Sequence, residues 1–236
     1  MKRQMILASA ASLAIAMPAT AQDLSRSEII VTASRIDQDN YSSQMPAVGL
    51  RRSADFLVQE VIIRGDTRDE KQRRAEIRTM LNQAVRMAKQ HGVELAYGDY
   101  VLTTLTLENV DDLDLERDNR PDSEGISFLV KAPLGGIESG KLAEERIAHY
   151  IDAVPESGRA QMDKSGDTTL SVVGPDNFRS EIAAKIAEDS QALARQMGEN
   201  YAIQAEGLNM PVQWTRSGPA EVLLYIPYKL TIVPRP

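Results

Sequence analysis

The residues best spaced for chemistry are Gly135-Gly136-Ile137-Glu138-Ser139-Gly140-Lys141-Leu142, which fit the G-x-x-x-x-G-K pattern of a phosphate loop. Such a loop needs a hydroxyl after the lysine to hold magnesium, and Leu142 stands there instead. Glu138 would set a negative charge against the phosphates, and Pro133 interrupts the approach from the preceding strand. A helix start capped by Ser139 accounts for the same residues. No cofactor is expected there.

A second cluster, Asp111, Asp112, Asp114, Glu116, Asp118, Asp122 and Glu124, would suit a hard cation such as calcium. Counted from Asp112, however, the turn position that requires glycine falls on Arg117. Leu113 and Leu115 alternate as at a strand end, so the segment reads as a solvated acidic loop. The chain has two histidines, His91 and His149, and no cysteine. Thiol nucleophiles, disulfides and cysteine-ligated metals are therefore excluded. His91 suits a helix C-terminus beside Gly92, and His149 sits on a second helix next to Tyr150. Glu144-Glu145 and Asp163 read as surface carboxylates, and Trp214 as core filler or a loop clasp. No catalytic residue, cofactor-binding residue or metal ligand is expected, and the chain does not read as an enzyme.

Export is the clearest message of the sequence. Lys2 and Arg3 precede an apolar run from Met5 to Met17, and Ala19-Thr20-Ala21 supplies small residues for cleavage between Ala21 and Gln22. At about 13 residues the run is short of the roughly 20 needed to span a bilayer. Residues 1–21 thus read as a signal peptide, and the mature protein is placed in the periplasm, free or associated with the outer membrane. Loss of Lys2 and Arg3 leaves 25 basic against 34 acidic side chains, a formal charge of −9. That balance opposes a broad grip on nucleic-acid phosphates. No later stretch is apolar enough for a transmembrane helix.

The elements that would position these residues follow from periodicity. Residues 22–50 are polar and serine-rich, with one apolar island at Ile29-Ile30-Val31, and read as a flexible leader or an edge strand. The folded domain is expected over 51–236. A β-type run, Phe56 to Ile63, ends at Gly65-Asp66. Thr67-Arg68-Asp69-Glu70 has capping-box spacing, and Ile77, Leu81, Ala84, Val85 and Ala88 recur at helical spacing up to Gly92. Val93 to Leu107 reads as a strand bent at Tyr97-Gly98-Asp99-Tyr100, and Ile126 to Val130 as another. A helix over about Ser139 to Ile151 buries Ala143, Ile147, Tyr150 and Ile151. Thr169 to Val173 is a short strand, followed by a helix from Phe178 to Gly198 with Ile182, Ile186, Leu193 and Met197 on one face. Tyr201 to Ala205 and Glu221 to Val233 close the chain as strands, with Pro227 marking an edge or a change of pairing partner. The order predicts an α+β fold, helices packed on a largely antiparallel sheet. It forms either one unit or two lobes meeting in the acidic loop 109–125.

Two stretches resemble known families. The helix Ile182-Ala183-Ala184-Lys185-Ile186-Ala187-Glu188-Asp189-Ser190-Gln191-Ala192-Leu193-Ala194-Arg195-Gln196-Met197-Gly198, with the closing Leu224-Tyr225-Ile226-Pro227-Tyr228-Lys229-Leu230, resembles the SIMPL-domain family of periplasmic immunogenic proteins. The resemblance implies an α+β fold, export and oligomeric assembly, and brings no catalytic residues. Glu28-Ile29-Ile30-Val31-Thr32-Ala33-Ser34-Arg35 is similar to the short N-terminal segment of TonB-dependent receptors. That similarity implies partner docking through Glu28, Ile29, Ile30, Val31 and Thr32, by strand addition to the TonB C-terminal domain. The function expected is non-enzymatic, through self-association or an envelope protein partner. The alternative is an accessory of TonB-linked uptake.

Overall fold

The computed structural model describes residues 26–31, 47–117, 120, 122–135 and 140–235. Twelve strands and three helices run along them in this order: β1 (Glu28–Val31), β2 (Leu50–Ser53), β3 (Phe56–Gly65), α1 (Glu70–Ala88), β4 (Glu94–Tyr97), β5 (Val101–Thr104), β6 (Glu116–Arg117), β7 (Glu124–Pro133), α2 (Gly140–Ala153), β8 (Gln161–Val173), α3 (Arg179–Met197), β9 (Tyr201–Glu206), β10 (Gln213–Arg216), β11 (Glu221–Tyr225) and β12 (Lys229–Pro234). The expected signal peptide, its expected cleavage point at Ala21 and Gln22, and Thr32 lie outside the described residues.

The expected α+β arrangement, helices packed on a largely antiparallel sheet, is overturned. The main sheet runs β3-β8-β1-β5-β4-β7, and β7 pairs back onto β3, so six antiparallel strands close into a barrel. Closure removes sheet edges and makes the molecule mostly sheet, with three short helices. The two-lobe alternative falls with it. β4, before the acidic loop, pairs with β5 on one side and with β7, after the loop, on the other, so all three belong to the same barrel. The periodicity was compatible with either architecture, because ring closure depends on which distant strands pair.

Antiparallel register assigns each side chain to one of two faces. Leu57, Val61 and Ile63 of β3 share the outer face with Ile126, Phe128 and Val130 of β7. Against that wall α1 buries Ile77, Met80, Leu81 and Ala84, and α2 buries Ala143, Ile147, Tyr150 and Ile151. The Tyr150 hydroxyl, fully buried, donates to the Ala84 carbonyl at 2.8 Å and ties the two helices together. Burial pushes its pKa well up, so it remains a neutral donor. α1 begins later than the capping box suggested. Asp69, not Thr67, accepts from the Gln72 amide at 2.8 Å, while the Thr67 hydroxyl bonds Glu76 at 2.6 Å.

The strand expected over 93–107 is a hairpin, because Gly98 at φ 116° turns the chain between β4 and β5. β8 is far longer than expected and bulges opposite β3, where Val58 pairs with Thr169 and Glu60 already pairs with Ser165. Gln59, 3% exposed, fills that bulge and donates to the carbonyls of Ser165 and Gly166 at 2.9 and 3.2 Å. The long C-terminal strand is also two strands. Before Pro227, β11 pairs with β10 and β2, and after it β12 pairs with β9. Proline cannot donate to a ladder, so the change of partner falls there.

Candidate functional site

Helices cover the outer face, so the opposite face lines the barrel lumen. Register places Val58, Glu60 and Ile62 of β3 on it, opposite Lys131, Leu129 and Ser127 of β7. Lys131 is the one charged residue in the apolar run Phe128-Leu129-Val130-Lys131-Ala132, and it is 2% exposed. A buried ammonium requires paired and hydrogen-bonding neighbours. The barrel supplies them from four other strands. The Glu28 carboxylate of β1 bonds the Lys131 ammonium directly, and Glu94 of β4 approaches it at 3.2 Å. The Phe56 ring of β3 lies with its centroid 4.1 Å from Nζ, a cation–π contact. Ser171 of β8, fully buried, donates its hydroxyl to the other Glu28 oxygen at 2.5 Å.

This arrangement is a clamp. Both Glu28 oxygens are engaged, the Ser171 hydroxyl is spent on a carboxylate, and the ammonium is neutralised from two sides. The expected docking residues are thereby placed. Glu28 and Ile30 face the lumen, Ile29 is fully buried on the other face, and β1 pairs with β8 along its length and with β5 at Glu28 and Ile29. Strand addition onto a separate partner needs a free edge. Here both edges are engaged, so docking on TonB would require β1 to leave the barrel and Glu28 to leave Lys131.

The remaining candidates scatter. Of the phosphate-loop residues, Gly140 opens α2 and Lys141 pairs with Glu145 at 3.8 Å; residues 136–139 lie outside the described set. The described acidic residues diverge: Asp111 approaches Arg78 at 3.6 Å, and Asp112 accepts from Tyr97 at 3.3 Å, while Asp118 lies outside the described residues. Glu124 belongs to β7, where Arg73 and Arg74 hold it at 2.8 Å each. Hydrogen bonds from Arg74 and then Arg73 keep its carboxyl below the usual range against the opposing cost of burial. Among the described residues no group of three or more His, Asp or Glu side chains is placed to hold a metal. The two histidines do meet, with ring centroids 5.5 Å apart and His91 also against Tyr150. Asp163 lines a polar cleft of about 620 Å³ with Arg64, Asp66 and Arg159, and Glu144 is exposed on α2. Trp214 is half-buried on β10, its ring 5.4 Å from Tyr100.

Sequence reasoning missed Lys131, Ser171, Glu94 and Phe56. The signal for the first was present, a lone lysine inside an apolar strand. Its partners lie 37 to 103 residues away along the chain and become neighbours only on closure.

A second surface lies at the C-terminal end. β9 and β12 form a two-stranded ribbon, and no described strand pairs with the outer edge of either. Register puts Tyr201, Ile203 and Ala205 on one face with Pro234, Ile232 and Leu230. Tyr201 is 44% and Ile232 49% exposed. α3, whose deeply buried residues are only Ile182 and Ile186, runs on to contact β9, leaving Met197 exposed in its last turn.

No family model and no curated protein matches the chain. Among solved structures, one titled as the crystal structure of a hydrolase from Listeria innocua aligns over 82% of this chain and 97% of its own, at 9% identity. Its TM-score of 0.18 is too low to bear on fold or activity. No helix among the described residues is long and apolar enough to cross a membrane.

Proposed function

We propose that this chain is an exported protein of the periplasm or outer-membrane surface that acts without catalysis, by associating with further copies of itself through the β9–β12 ribbon. The observation that carries the reading is the apolar ribbon face, with Tyr201 and Ile232 exposed and both outer strand edges unpaired among the described strands. A two-stranded ribbon is marginal in water, whereas three or more strands with an apolar face are self-supporting. Edge-to-edge pairing with a second copy makes four strands and joins two apolar faces. Residues 1–21, with their basic start, apolar run and small residues before Gln22, support export. The resemblance of 182–198 and 224–230 to SIMPL-domain proteins supports assembly.

Sedimentation of the mature chain from Gln22 over a range of concentrations tests the reading. Concentration-dependent association is expected, weakened at least tenfold by Ile232→Asp with little change in melting temperature. A monomer at every concentration overturns it.

A further inference from the structure

We infer that His91 and His149 together form a two-imidazole site for a divalent transition-metal ion, copper(II) foremost. The inference uses no residue of the β9–β12 ribbon and does not rest on its association.

The chain has two histidines, and the packing of α1 against α2 brings both to one place. His91 closes the short turn Lys89–His91 that follows α1, and Gly92, at φ 66°, ends it. His149 stands on α2 beside Tyr150. The Tyr150 hydroxyl fixes α2 to the Ala84 carbonyl of α1, and its ring meets His91 edge-on with centroids 5.8 Å apart. The helices are therefore tied together where the histidines meet, and His91 is braced by an aromatic contact. Ligands held in place beforehand bind without a further cost of ordering.

The separation suits chelation. The two ring centroids are 5.5 Å apart and the planes are inclined by 39°. A metal about 2.0–2.1 Å from a ring nitrogen lies about 3.2 Å from that ring's centroid, so two imidazoles at a tetrahedral angle stand about 5 Å apart. A small turn of one ring closes the difference, and His149 is exposed, with a broad final torsion. An aromatic pair alone would sit at a similar distance. The nitrogens distinguish the two readings. Among the described residues neither ring exchanges a hydrogen bond with the protein. Each neutral imidazole thus keeps an acceptor lone pair, the group that a metal takes.

The ligand set selects the ion. Imidazole nitrogens suit copper, nickel and zinc, whereas calcium and magnesium require oxygens. Among the described residues no third His, Asp or Glu is placed with the pair, so water completes the shell. With so few protein ligands intrinsic affinity governs, and copper(II) leads nickel and zinc. The end of α1 favours a cation, because its last carbonyls point outward. Arg146 passes close to Gly92 and donates to the Pro133 carbonyl at 3.3 Å. Its charge opposes a metal, but a guanidinium has no lone pair with which to displace one.

The test uses the chain from Gln22 without an affinity tag, in an Ile232→Asp background that removes ribbon contacts. Copper(II) is titrated by calorimetry into this chain and into its His91→Phe, His149→Phe and doubly substituted forms. Phenylalanine keeps the ring contacts and removes the nitrogens. One ion per chain is expected, with Kd raised about tenfold or more by either single substitution. Pulsed electron paramagnetic resonance should count two imidazoles on the ion in the parent and one in each single variant. Zinc should bind the same site more weakly. Equal affinity in the parent and the double variant, or one imidazole per ion in the parent, overturns the site. A copper-dependent dimer in sedimentation also overturns it, because the two rings would then belong to different copies. Should His91→Phe fail to fold, the exposed His149→Phe decides by the same readouts.

Discussion

Lys131 reaches across the lumen from β7 to Glu28 on β1, a bond between residues 103 positions apart that anchors the strand completing the barrel. The pair is almost dry, with side-chain exposures of 3% and 15%. In such a setting the isolated loss of one partner weighs more than the net contribution of the pair, because the survivor is left charged and buried.

Lys131→Met should therefore lower the free energy of unfolding by about 3–5 kcal/mol. Glu28→Leu combined with Lys131→Met should recover much of that loss, since the carboxylate left without its partner, Glu94, is half exposed to water. Urea unfolding of the three proteins checks the order. If the double variant is as unstable as Lys131→Met, desolvation is not the governing effect.

Glu124 is held by two arginines of α1 and its pKa is lowered in the folded chain. A carboxyl depressed on folding contributes stability that is full above its unfolded pKa, near 4.3. That contribution is lost as pH falls through the lower, folded value. Glu124→Gln should cost on the order of 3 kcal/mol at neutral pH, leaving Arg73 buried without its counter-charge. The gap between parent and variant should narrow as pH drops below about 4. A gap independent of pH would rule out this linkage.

Gln59 satisfies two carbonyls of the β8 bulge that have stepped out of the β3 ladder. Gln59→Leu keeps the volume but strips those donors, at a cost of about 1–3 kcal/mol. Amide exchange should then rise locally around residues 165–168, a readout that simple loss of packing elsewhere would not give.

Gly98 turns the β4–β5 hairpin at φ 116°, and a methyl there would meet the Val101 carbonyl oxygen at 2.5 Å. Gly98→Ala should destabilise the fold by about 1–3 kcal/mol. The loss should appear first in the β5 amides, because β5 is short and, among the described strands, is paired with β4 and β1 alone.

Much of the local structure was legible. The apolar spacing of Ile77, Leu81 and Ala84, and of Ala143, Ile147 and Tyr150, marked two helices and the faces they bury. Gly92 and Pro227 marked a helix stop and a change of strand partner, since each imposes a backbone constraint of its own. The capping residue of α1 was misplaced because Thr67 and Asp69 are both competent caps, and tertiary contacts with Glu76 drew Thr67 away. In α3, Leu193 and Met197 repeat at helical spacing, yet Met197 is exposed, since periodicity reports a face without saying what covers it.

Composition and local pattern determined what the chain lacks and where its elements begin: no cysteine, alternating strands, three helices. These follow from short-range rules of charge, spacing and backbone freedom. The tertiary structure decided that the strands close into a barrel, that an apparent leader segment is one of its walls, and that Lys131 has Glu28, Glu94, Phe56 and Ser171 around it. Each of those results depends on pairings between residues tens of positions apart. A strand carries its face pattern in its own sequence, but the identity of its neighbours is a property of the whole sheet.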